Sequence, residues 1–306
     1  MTDVSLGTTL LLGFIAGVTI VLGLPLGRLR RPAPGLRAFL NAVAVGILLF
    51  LVWDVLSAAW EPIDSALGQV HDGHGGAWTA TGYGLIFAAG LAVGLLGLVA
   101  YERWMSSRAS RAGTARDQGP GETVVGLGPG SMQAGELSVR RLRGVATWSA
   151  ARRLALMIAV GIGLHNFAEG LAIGQSAARS EIALATLLVI GFGLHNATEG
   201  FGIVAPLSGD LARDGRPARP SWGFLLALGL IGGGPTFLGT AIGHSFTSEP
   251  VAVVFLTLAA GSIIYVITQL LGLAAKTRRS DLLAYGLILG LLAGFGTDAI
   301  VSAAGA

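Results

Sequence analysis

The chain contains no cysteine, which excludes disulfides, thiolate zinc sites and thiol redox chemistry. Charge is nearly as scarce. Asp, Glu, Lys and Arg make up 12% of 306 residues, and Lys276 is the only lysine among 20 basic residues. So little charge beside 53% apolar residues and a mean hydropathy of +0.71 excludes an ordinary soluble domain and indicates a helical membrane protein. Met1–Leu6 has no basic residue and no clear cleavage site, so the first apolar run reads as a retained helix rather than a signal peptide. The preference for Arg over Lys, with high Ala and Gly, points to a GC-rich bacterial genome and hence to an inner (cell) membrane. The pI of about 9.8 does not point to nucleic acid, because the basic residues fall between apolar runs.

Long apolar runs are what the chain has instead. Spans are expected at 6–26, 38–60, 82–104, 153–178, 182–206, 221–246, 250–273 and 279–303, each able to cross a core of roughly 30 Å at 1.5 Å per residue. All basic residues but Arg179 then lie in four loops on one side. The positive-inside rule makes that side cytoplasmic and places both termini outside. Residues 105–152, rich in Gly, Ser, Ala and Arg, read as a flexible cytoplasmic linker. This linker separates helices 1–3 (1–104) from helices 4–5 (153–206), and helices 6–8 follow (221–306).

The chain also repeats itself. Leu12–Gly17 resembles Leu228–Gly233, Gly46–Phe50 resembles Gly261–Tyr265, and Tyr83–Ile86 recurs as Tyr285–Ile288. Their order maps helices 1–3 on 6–8, and helix 4 on 5. Helix 1 runs inward and helix 6 outward, so the expected fold is all-α, with eight spans in a 3+2+3 inverted repeat. Such repeats around a mid-membrane site are a signature of secondary transporters.

The strongest signal is a decapeptide written twice. Gly161-Ile162-Gly163-Leu164-His165-Asn166-Phe167-Ala168-Glu169-Gly170 is echoed thirty residues on by Gly191-Phe192-Gly193-Leu194-His195-Asn196-Ala197-Thr198-Glu199-Gly200. In each copy a His and a Glu four apart share one helix face, about 6 Å apart along the axis. A carboxylate at mid-bilayer costs roughly 2.5–3.5 kcal/mol on insertion scales and needs a partner or a function. Imidazole nitrogen and carboxylate oxygen are ligands for borderline divalent metals. His165, Glu169, His195 and Glu199 are thus the candidate metal ligands, and two separate His–Glu hydrogen bonds are the plainer alternative. Asn166 and Asn196 suit ligand orientation, a path lining or a second metal as readily as interhelical hydrogen bonding.

These motifs resemble those of the ZIP (Zrt-, Irt-like protein) family of divalent-metal transporters. The eight spans, outside termini, long 3–4 loop and Ala259–Val266 in helix 7 fit the same resemblance. It implies a metal site at the four ligands and movement of a divalent ion into the cytoplasm. It also implies an elevator-like motion of helices 1, 4, 5 and 6 against 2, 3, 7 and 8. The chain departs from the family pattern in three places. Ala168 and Thr198 stand where Pro is frequent, Gly234 stands where many members have Glu, and helix 7 reads Gln269-Leu270-Leu271-Gly272 without its usual acid and Pro. One principal metal and loss of an acidic release site in helix 7 are the expectations.

Asp54, toward the outer end of helix 2, is paired by the repeat with Gln269 near the inner end of helix 7, a placement that suits an entrance and an exit. A lipid-boundary or interhelical role for Asp54 has equal weight. Asp298 reads as solvated near the outer surface, and 61–74 as an acidic outer loop. The expected substrate is Zn²⁺, with Cd²⁺, Fe²⁺, Mn²⁺ and Co²⁺ compatible with the ligand set. The expected partners are the ion, the lipid bilayer and a second copy in a homodimer. Two other functions compete: an intramembrane metalloenzyme such as a protease, though no H-E-x-x-H is present, and a bis-His haem protein using His165 and His195.

Overall fold

A computed structural model describes residues 4–28, 34–117, 148–180, 182–210, 218–245, 248–275 and 279–303. Among them there is no strand, and eight helices are long and apolar enough to cross a membrane. In chain order they are built on α1 (Leu6–Val18, carried on to Arg28 by 3-10 turns), α2 (Pro34–His71), α3 (Ala77–Asp117), α4 (Ala150–Ala178), α5 (Ile182–Val204), α6 (Trp222–Gly243), α7 (Glu249–Ala275) and α8 (Ser280–Ala303). Serine hydroxyls at Ser5, Ser149 and Ser221 accept from the backbone N–H of Thr8, Arg152 and Phe224, capping the first turns of α1, α4 and α6.

Several boundaries differ from expectation. The first span is not one helix: α1 gives way at Thr19 to two 3-10 segments, Thr19–Leu22 and Leu24–Arg28. The Thr19 hydroxyl donates back to the Ala16 carbonyl at 2.7 Å, and Pro25 has no N–H to continue an α-helix. Gly23 brings this stretch against α5, where a Cβ would strike the backbone of Ala197, Gly200 and Phe201. The second helix does not stop at 60 but passes through Pro62 and reaches His71. One helix hydrogen bond is forfeited at Pro62, yet Ile63 and Ala66 beyond it are both buried. Most of the expected acidic loop is therefore helix, closed by Gly73, Gly75 and Gly76 at positive φ. The expected linker also begins as helix, because α3 continues to Asp117. Residues 118–147 lie outside the described residues, as do 29–33, 211–217 and 276–278 with their basic side chains.

The most extensive packings are α4 on α6, α2 on α8, α3 on α7, α2 on α7, α4 on α7 and α1 on α6, all but α4 on α7 falling within one of two groups. They sort the helices into two sets, α1/α4/α5/α6 and α2/α3/α7/α8. The sets meet mainly where α4 lies on α7, and more loosely where α5 faces α2 and α8. Glycines make the closest approaches. Gly17 and Gly233 face each other where α1 crosses α6, Gly46 lies on Gly290 between α2 and α8, and Gly261 lies on Gly94 between α7 and α3. A Cβ at any of them would meet the partner helix's backbone, so the helices pack at a distance only glycine allows. Between the crossings Ile20, Leu48, Met157, Ile162, Leu228 and Ile263 form a fully enclosed apolar core. Leu230, Leu292 and Ile300, by contrast, point outward and are more than 60% exposed.

Candidate metal centre

The two echoed motifs lie on α4 and α5, which run through them unbroken, as Ala168 and Thr198 in place of proline allow. Packing of α4 on α5 brings His165 and His195 to ring centroids 6.0 Å apart. Both rings turn their Nε2 to one oxygen, Glu169 Oε1, at 2.7 Å from His165 and 2.5 Å from His195. Ligand atoms of His165, Glu169 and His195 all lie within 4.8 Å of one another. Glu199 stands one step back, its Oε1 3.8 Å from His165 Nε2. Three of the four expected ligands thus converge, and the fourth flanks them.

His165, Glu169 and Glu199 are buried, whereas the His195 side chain keeps 11% exposure. Burial leaves many atoms unsatisfied: His165 Nδ1, Glu169 Oε2 and both oxygens of Glu199 have no hydrogen-bond partner. Each such atom costs about 1–3 kcal/mol when left unmet, and native structures hold few of them. Four on three neighbouring side chains, two of them carboxylates, suit a site whose chemistry is completed by a cation. Gly234 on α6 brings no side chain here, and its nearest neighbour is Leu230.

The two asparagines do matching interhelical work. Asn166 Nδ2 on α4 donates to the Gly232 carbonyl of α6 at 3.0 Å. Asn196 Nδ2 on α5 donates to the Ala16 carbonyl of α1 at 3.1 Å. Ala16 and Gly232 hold the same place in the two repeated hexapeptides. Each asparagine therefore ties a ligand helix to its neighbour, and each keeps a buried, unpartnered Oδ1.

A cavity of about 400 Å³ adjoins the cluster, lined by His195 and Thr198 of α5, Phe50 and Asp54 of α2, and Thr297 and Asp298 of α8. Asp54 is thus brought to the cluster. Asp298, expected near the outer surface, is half-buried and shares this wall, because α8 packs along α2. Gln269 is remote from it and belongs to a second polar group. Its Nε2 donates to Glu102 Oε2 at 3.2 Å, and the Tyr265 hydroxyl donates to the same oxygen at 3.0 Å. Glu102 was not apparent from the motifs. Its only sequence signal is a carboxylate near the end of an apolar run, which is common at membrane boundaries.

The chain matches no family model and no curated protein.

Proposed function

We propose that this protein carries divalent metal cations, Zn²⁺ foremost, across a bacterial inner membrane into the cytoplasm, in the manner of the ZIP-like transporters its motifs resemble. The observation that carries this reading is the convergence of two imidazoles and a carboxylate inside an eight-span bundle, flanked by a second buried carboxylate. Two glutamates balance a dication, which lowers the electrostatic cost of holding it away from water. Two nitrogens and carboxylate oxygens suit a borderline metal, so Cd²⁺, Fe²⁺, Mn²⁺ and Co²⁺ compete with Zn²⁺.

Alternating access needs two bodies and one site. The division of the packing into α1/α4/α5/α6 and α2/α3/α7/α8 supports an elevator-like motion of the first set, which carries all four ligands. The matched glycine crossings and the matched asparagine ties support an inverted repeat as its basis. With the arginine-rich loops cytoplasmic, the cavity at His195 lies on the outer side, since α2 and α8 both run outward through Asp54 and Asp298. The ion would then enter past these two carboxylates.

The test is metal flux into proteoliposomes, comparing Zn²⁺, Cd²⁺, Mn²⁺ and Fe²⁺ for the wild type and for a protein carrying both His165→Ala and Glu199→Ala. Saturable flux in the wild type that the folded double variant lacks is the expected result. A folded wild type that moves none of the ions would overturn the reading, and would direct attention to haem absorbance and metal-dependent proteolysis.

A further inference from the structure

The two glycine crossings within the α2/α3/α7/α8 set have matching continuations. Gly46 lies on Gly290, and Gly261 lies on Gly94. Eight residues beyond these four glycines stand Asp54, Asp298, Gln269 and Glu102 respectively. Eight residues are just over two turns, or roughly 12 Å along a helix. The two pairs lie at opposite ends of the bundle, because α2 and α7 pack antiparallel: Asn41, early in α2, donates to the Leu270 carbonyl, late in α7. Asp54 and Asp298 thus have a structural counterpart in Gln269 and Glu102.

The two ends are in different states. At the first, both aspartates line the cavity beside His195. At the second, α4 is closed down on α7: Ser262 Oγ donates to the Gly161 carbonyl at 2.9 Å, and a Cβ at Gly161 would strike Val266. The chemistry also differs. Tyr265 is fully buried and gives its hydroxyl to Glu102. Four residues after the crossing glycine on α2, the equivalent position is Phe50, which has no hydroxyl and packs on Trp53 and Phe295. The first end offers two carboxylates. The second offers one, with an oxygen already engaged by a phenol and an amide.

Resting on the transport reading above, we propose that Glu102, Gln269 and Tyr265 form the release-side station of the pathway, and that the Tyr265 and Gln269 donors keep Glu102 a weak holder of the departing cation. A carboxylate oxygen that already accepts two hydrogen bonds has less to give a metal ion, so the ion leaves this end more readily than it leaves the two aspartates. The asymmetry makes the Glu102 end saturate at higher ion concentration than the Asp54 end, although the central site is built from near-identical motifs; the net direction of flux stays with the ion gradient. Glu102 thereby supplies, from α3, the acid that helix 7 lacks. Tyr265 is a positioning residue, acting on the cation only through Glu102.

The experiment is inhibition of initial Zn²⁺ flux by Zn²⁺ placed on the release side of proteoliposomes, for the wild type, Tyr265→Phe and Glu102→Gln. Tyr265→Phe keeps the buried ring and removes one donor, so inhibition should set in at about tenfold lower Zn²⁺, the shift one hydrogen bond to a charged group produces. Glu102→Gln should make inhibition weaker than in the wild type. Zn²⁺ affinity at the central site, measured by calorimetry in detergent, should stay within about twofold in both. A general loss of stability would change flux or affinity but would not move the two variants in opposite directions. Equal release-side inhibition in all three proteins, in a wild type that transports, would overturn this inference and leave the transport reading standing. Absence of wild-type flux for every metal would overturn both.

Discussion

At the residue scale the two glutamates are not equivalent, although the sequence writes them alike. Glu169 Oε1 lies 2.7 Å and 2.5 Å from the two imidazole Nε2 atoms, whereas Glu199 Oε1 stays 3.8 Å from that of His165. Glu169→Gln should therefore weaken Zn²⁺ binding more than Glu199→Gln, by about tenfold or more, since it removes the charge at the point of convergence; calorimetric titration of both variants measures the difference. Equal losses would mean that the pairs act symmetrically. Binding must also compete with protons, because neutral imidazole and ionised carboxylate are the ligating forms. Zn²⁺ affinity should fall as pH is lowered from about 8 to about 5.5, and the heat of binding should change with the ionisation heat of the buffer. Affinity flat over that range would argue against imidazole ligation. The four candidate ligands were legible from their i, i+4 spacing because a helix fixes which neighbours share a face. Which carboxylate leads was not legible, since it depends on how α4 and α5 lean together. The same holds for Asn166 and Asn196, whose interhelical bonds end on carbonyls 66 and 180 residues away.

At the scale of elements, hydropathy located all eight spans, because apolar length is what crossing a bilayer demands. It did not locate where helices end in water. There α2 passes Pro62 and α3 runs on to Asp117, since neither stop is imposed by the membrane. Nor did it show that the first span changes to 3-10 geometry at Thr19, a change tied to the close fit of Gly23 on α5. Glycine repeats were visible as text, but only the crossings show which glycines touch. Gly46 on Gly290 is one such contact, and a side chain there must push two backbones apart. Gly290→Val should lower stability by about 1–3 kcal/mol, the usual range for overpacking, while Gly68→Ala, with open space around its Cβ position in a helix, should leave stability unchanged or raise it by up to about 1 kcal/mol. Thermal unfolding in detergent distinguishes them. If Gly290→Val melts with the wild type, the α2–α8 crossing is looser than described here.

At the scale of the whole molecule, the proposed entry of the ion past Asp54 and Asp298 requires that this end face outward. The physical basis for orientation is charge: of the 20 basic residues, all but Arg179 fall between spans 1–2, 3–4, 5–6 and 7–8 or at their edges, and cytoplasmic loops retain such residues. Arg179 sits at the turn between α4 and α5, on the side where α2 carries Glu61 and Asp64 and is followed by Asp72. This inference was fully available from sequence, because it rests on counting charges rather than on packing. The lack of cysteine makes it directly testable, since any introduced thiol is the only one. Gly68 on the extension of α2 and Gly223 at the start of α6 are both exposed, and a Cβ at either meets nothing, so neither substitution should disturb the fold. In spheroplasts with intact membranes, a membrane-impermeant maleimide should label Gly68→Cys at once and Gly223→Cys only after permeabilisation. That pattern would put Asp54 and Asp298 on the outside and Glu102 on the inside, in the order an importer needs. The reverse pattern would leave His165, Glu169 and His195 as a candidate metal cluster, but it would put the Asp54–Asp298 cavity on the cytoplasmic side and overturn the proposed entry past these two carboxylates.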